Sequence, residues 1–204
     1  AVELPLVRLS IALSLSSAKK KNLGEIWSLL EPLEKMLDNP SPHPLALNAF
    51  ISYFIATKNQ SKLRELLSKM SPSNTTQGKN FALLRVASFL GDTKKAEEIF
   101  SLLKTKNEDA NILLIRAYAI AGNFERAKEL FDAFPNKTGK SYIRMARIMH
   151  FLRSPLEERR ELLRLMKESR IRNSKPYFFL LKFYYNSESN AGEDSRVLKD
   201  LLSR

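Results

Sequence analysis

Cysteine is absent from this 204-residue chain, and histidine occurs twice. Without cysteine there is no disulfide framework, no thiolate zinc site, no iron–sulfur ligation and no cysteine nucleophile. Two histidines leave little for metal or acid–base chemistry. Glycine is scarce, at 6 residues, which argues against a glycine-rich loop built to cradle phosphates. No apolar run approaches the roughly 18 residues of a membrane span. Acidic residues are also in deficit, 22 against 34 lysines and arginines, leaving a formal charge of +12. Such an excess points to a polyanionic partner, nucleic acid or an anionic surface. The apolar fraction of 44% is ordinary for a folded domain of this length.

Strand alternation is missing, whereas helical spacing recurs from end to end. Between Asn111 and Phe134, Ile112, Leu113, Ile115, Ala119 and Ile120 belong to one helix. Gly122-Asn123 breaks it, with Asn123 as N-cap, and Phe124, Ala127, Leu130, Phe131 and Phe134 line a second helix. The same pattern stands 31 residues earlier, at Gly91-Asp92, Ala96 and Ile99-Phe100. It recurs 33 residues before that, with Lys58 in the turn position and Leu63, Leu66, Leu67 and Met70 in the apolar slots. Forward by 32 residues, Leu162, Leu163 and Met166 fit, after a capping-box start at Ser154, Pro155 and Glu157. Ile26, Leu29, Leu30 and Leu33 fit the second helix of a first unit, and Val197, Leu198, Leu201 and Leu202 that of a last. The expectation is an all-α, right-handed solenoid of about six antiparallel helix pairs, because one pair cannot bury its apolar face alone. It is expected to form one domain over residues 1–204. A start at Ala1 and an end inside a helical pattern suggest a fragment of a longer chain or a processed protein.

Tetratricopeptide and pentatricopeptide repeats share this skeleton. Ala117-Tyr118, Gly122, Ala127 and Leu130-Phe131 resemble the small, aromatic, turn and packing positions of either family. Met166 to Ile171, then Asn173, Pro176 and Leu180 to Tyr184, are similar to the junction between two pentatricopeptide repeats. The resemblance spans roughly residues 43 to 185. It implies binding of single-stranded RNA by the inner face of the first helices, mostly in mitochondria or chloroplasts. That resemblance implies a mitochondrial matrix factor acting on mRNA or rRNA stability, processing or translation, with a protein partner or the mitochondrial ribosome as a further expected partner. The base-facing positions it implies are Asn48, Phe81, Ile112, and Arg144 or Ile143. Asn48 is the usual base-reading type among them.

One pattern is visible without any family. Each first helix carries a triplet with a polar or cationic residue between two apolar ones: Arg8, Ser52, Arg85, Arg116, Arg147 and Lys182. Arg85, Arg116 and Arg147 are 31 residues apart. Equivalent positions of a solenoid stack in a row, so a basic ladder is expected, its rungs about 10 Å apart. Each rung lies four residues after the base-facing site and shares its helix face. Such a row suits a phosphate backbone, and Phe81, Tyr142 and Phe178 are candidate stacking surfaces. The competing reading pairs each cation with a carboxylate of a neighbouring helix, such as Glu97, Glu98, Glu125 or Glu129. Alternatively, a tetratricopeptide-like groove would clamp an acidic peptide or a partner subunit. Lys19-Lys20-Lys21 reads as a solvated turn, and Trp27 as core. His43 and His150 read as packing or surface residues. No catalytic constellation is present, so no enzyme, metal, cofactor or small-molecule substrate is expected.

Overall fold

The computed structural model describes residues 3–17, 22–39, 42–72, 77–135 and 137–152, together with 161, 162, 164–166 and 168. Lys19 to Lys21, the cap at Ser154, the junction from Ser169 to Tyr184 with Lys182 and Phe178, and the last helix pair lie outside the described residues. So does the side chain of His150. Among the described residues the chain is all-helical, with no strand. The elements are α1 (Glu3–Ser17), α2 (Leu23–Leu30), a 3₁₀ segment (Glu31–Asp38), α3 (Pro44–Ala56), α4 (Gln60–Lys69), α5 (Gln77–Leu90), α6 (Thr93–Ser101), α7 (Glu108–Ile120), α8 (Phe124–Ala133) and α9 (Gly139–Phe151). They form two compact units, Ala1–Ala117 and Tyr118–Arg204.

Within the first unit the first helices follow one another. α1 packs on α3 and α3 on α5, while α2, α4 and α6 each pack on the first helix of their own pair. α2 and α4 also touch the first helix of the next pair. This is the stacking of a helical repeat, in which each pair covers the apolar face of its neighbour. The core runs through Leu9, Ile26, Leu30, Leu47, Phe50, Phe54, Leu63, Leu83 and Ile99, all essentially solvent-free. Each such side chain contributes about 1.5–3 kcal/mol of burial. Trp27 is half-buried and stacks on Tyr53, with centroids 5.0 Å apart, joining α2 to α3.

The turns between paired helices repeat in atomic detail. Lys58, Gly91 and Gly122 all have positive φ, at 55°, 70° and 84°. The next residue caps the second helix each time. Asn59, Asp92 and Asn123 accept from the backbone N–H of Lys62, Lys95 and Arg126 at 3.1, 3.0 and 3.0 Å. The cap's own N–H donates back to the carbonyl five residues earlier: Phe54, Ala87 and Tyr118. A left-handed residue therefore satisfies the end of one helix while its neighbour satisfies the start of the next. Asn22 caps α2 in the same way, accepting from Glu25 at 3.3 Å. His43 caps α3: its Nδ1 accepts from the Leu45 N–H at 3.2 Å, with Pro44 at the first helical position.

The first pair departs from the expected second helix. After Leu30 the α-helix tightens into a 3₁₀ segment of 8 residues. Pro32 lacks the N–H that would continue the α ladder, and its ring crowds the preceding turn. Leu33 and Leu37 still reach the core.

In the second unit, Ala127, Phe131 and Phe134 of the α8 region, Met145, Ala146 and Met149 of α9, and Leu162 and Met166 are buried. No helix among the described residues is long and apolar enough to cross a membrane.

Candidate nucleic-acid interface

Charge is sorted by helix type. α3, α5 and α9 contain no Asp or Glu, and α7 carries its two acids in the first turn, where they favour the helix dipole. The second helices mix signs, and their charges pair locally. Lys62 meets Glu34 at 3.0 Å and Glu65 at 3.7 Å, and Lys69 meets Glu65 at 2.6 Å. Lys95 meets Glu98, and Arg126 meets Glu129, each at 2.7 Å. Lys128 meets Asp132 at 3.4 Å, and Arg164 sits between Glu161 and Glu168. Glu98 and Glu129, two carboxylates that could have neutralised the ladder, are thus engaged by cations of their own helices.

The rungs in the first unit behave differently. Arg85 reaches from α5 back to α3. Its Nη1 donates to Asn48 Oδ1 at 3.1 Å and its Nη2 to Ser52 Oγ at 3.3 Å. Ser52 is the one rung of the row without a charge, and the next rung's guanidinium extends toward it. Asn48 is fixed at both ends, because its Nδ2 also donates to the Pro44 carbonyl at 3.0 Å. Arg85 spends two of its five N–H donors here, on neutral partners. Arg116 lies against the Phe89 ring, its guanidinium carbon 6.0 Å from the centroid. Phe89 is one turn beyond Arg85 on α5, so consecutive rungs are joined by an aromatic face.

Among the described residues, neither Arg85 nor Arg116 has a carboxylate partner. Burial, and secondarily the like charge of Arg116, lowers the pKa of Arg85 below the usual arginine value. Burial alone lowers that of Arg116. Both guanidiniums remain charged at physiological pH. Two neighbouring cations, half-buried and without an acid, favour an anion at this face. Arg8, half-buried on α1, has no ion pair among the described residues.

In the second unit Arg147 is exposed and Arg144 half-buried on α9, and both already interact within the protein. Tyr142 corrects the sequence reading. It is 3% exposed and meets Phe131 edge-on, centroids 5.3 Å apart and planes at 82°. Its ring belongs to the core and offers no face to a base. One residue along a helix turns the side chain by about 100°, which carries Tyr142 inward from its neighbour Ile143. Phe81 is half-buried on α5 and Ile112 is 6% exposed on α7. Among the described residues no group of three or more His, Asp or Glu could hold a metal ion.

Sequence reasoning missed Phe89 and placed Ser52 in the row without a role. Phe89 is signalled by its place four residues after Arg85. Ser52 is signalled only by being the exception in an otherwise cationic row.

Residues 113–137 match the family model of the PPR repeat. The chain fits a PPR-like helical repeat protein. The matched stretch takes in most of α7, the turn at Gly122, all of α8 and the approach to α9. No curated protein and no solved structure matches the chain. A PPR repeat suggests RNA binding.

Proposed function

We propose that this PPR-like protein binds single-stranded RNA, mRNA or rRNA, through the cations of its first helices. It acts by occupancy rather than catalysis, in the mitochondrial matrix, supporting the stability, processing or translation of a transcript. The observation that carries the reading is the Arg85–Arg116 pair, half-buried, adjacent and without a carboxylate among the described residues. A phosphodiester supplies the missing charge, and a guanidinium can fork to two of its oxygens. Arg8, Arg147 and Lys182 extend the set of phosphate contacts to five, and Arg144 stands at a base-facing position.

The test is fluorescence anisotropy of a labelled single-stranded RNA across a salt series. Five cationic rungs that each neutralise one phosphate give a slope of log K on log salt of about −3.5, from roughly −0.7 per contact. A nearly flat slope excludes the reading. An acidic peptide that displaces the RNA stoichiometrically, or binds where RNA does not, moves the assignment to a protein-interaction module.

A further inference from the structure

Sequence selection by a single-stranded-RNA protein needs polar side-chain atoms left over to meet base edges. The base-facing positions of the first unit offer few of them, and those are held in place. Asn48, the one amide in that set, has its head group held by the protein: Oδ1 accepts from Arg85 and Nδ2 donates to Pro44, which leaves one lone pair and one N–H. Ile112 is apolar and buried. Phe81 is half-buried and can only stack, which every base satisfies. Beyond that remnant, what is uncommitted on this face is cationic: three donors of Arg85, the guanidinium of Arg116 and, on α1, Arg8, which has no ion pair among the described residues.

We infer that the first-helix face of residues 1–117 grips the ribose-phosphate backbone of single-stranded RNA without selecting bases, with Asn48 as the positioning residue that aims Arg85. The inference rests on the RNA reading above and deepens it. Asn48 and Ser52, one turn apart on α3, form a two-point rest for the two Nη groups of Arg85. That rest holds the guanidinium across the boundary between two repeats, beside Arg116. The remaining N–H donors then meet a phosphate with little rotamer entropy left to lose.

The experiment measures binding of the whole chain to labelled oligo(U), oligo(C) and oligo(A) of equal length at one moderate salt concentration. The expected dissociation constants agree within about threefold, the modest spread that stacking alone produces. Asn48→Ala is expected to weaken all three by the same factor, with an unchanged thermal melt. In the Arg85→Ala background it should add nothing, because it acts through Arg85. Asn48→Asp should also weaken all three equally, since a carboxylate keeps the guanidinium in place but neutralises it. A preference of tenfold or more for one homopolymer, lost or changed on substitution of Asn48, overturns the inference and leaves the RNA reading standing. Additive losses from Asn48→Ala and Arg85→Ala overturn the positioning role. Failure of all three oligonucleotides to bind at low salt overturns the RNA reading, and the inference falls with it.

Discussion

Replacing Arg85 and Arg116 together by glutamine tests the interface most directly. Glutamine keeps a polar head and removes the charge. Each guanidinium that neutralises one phosphate contributes about 0.7 to the salt slope, so the double variant should be shallower by about 1.4. Over a fourfold rise in salt, the wild type then loses roughly sevenfold more affinity than the variant. At fixed moderate salt, losing a charged hydrogen bond costs about 1.5–3 kcal/mol, a weakening of at least about tenfold per residue. Folding should change little. Neither arginine has a carboxylate partner among the described residues, so no acid is orphaned, and half-buried Asn48 and Ser52 can take water in place of the guanidinium. Arg85→Lys serves as the control: it keeps the charge and the slope but cannot fork to both Asn48 and Ser52. Anisotropy against salt, with circular-dichroism melts alongside, reads all of this. A double glutamine variant with the wild-type slope would refute the reasoning.

The remaining predictions concern the repeat geometry and are read from midpoints of denaturant unfolding at constant m. Lys58 holds φ 55°, a conformation its two repeat equivalents leave to glycine. Lys58→Gly should therefore stabilise the protein by about 0.5–1 kcal/mol, the relief of left-handed strain less the added entropy of the unfolded chain. A loss of stability would show that the Lys58 side chain compensates the strain. Ser88 is solvent-free, and its hydroxyl has no partner among the described residues. Ser88→Ala should gain about 1 kcal/mol by removing an unsatisfied polar group, as Ala119 already does 31 residues later. A cost instead would reveal a hydrogen bond at that hydroxyl. Leu84 and Val7 occupy the same repeat position, one fully buried and the other 51% exposed. Leu84→Ala should cost about 2–5 kcal/mol and Val7→Ala less than about 1 kcal/mol; similar costs would show that α1 is covered in solution.

Much of the fold was legible because its signals are local. A left-handed residue followed by an Asx cap is decided by two neighbouring side chains, and this motif recurs at 58–59, 91–92 and 122–123. Lys58 could be placed there only through the register of the apolar slots that follow it, since lysine carries no turn signal of its own. The 3₁₀ segment was less legible. Pro32 was visible, but whether a chain kinks, stops or tightens at proline depends on what its last turns pack against. The arginine row could be read as a row, yet not as a site. Arg85 reaches Asn48 and Ser52 across 37 and 33 residues of sequence, and periodicity does not encode where a long side chain ends. Tyr142 was misread for a related reason. On a helix with apolar residues on several sides, an aromatic one step from the ligand-facing position points into the core.

The sorting of charge makes the row consequential. Had the 22 acids been spread evenly over both helix types, each first-helix arginine would meet a carboxylate and the face would be neutral. Instead the carboxylates concentrate on second helices, where exposed pairs three or four residues apart add little to stability but keep that surface balanced. In the acid-free α3 and α5, apolar residues on either side of Arg85 pack the repeats together and leave its guanidinium half-covered. That partial burial weakens solvent screening of the positive potential while leaving the donors reachable. The fold bears the cost of holding Arg85 beside Arg116, a cost that the proposed phosphate contact would relieve. On the proposed reading, affinity on this face comes from an electrostatic demand built into the repeat stack, which any phosphodiester backbone can meet.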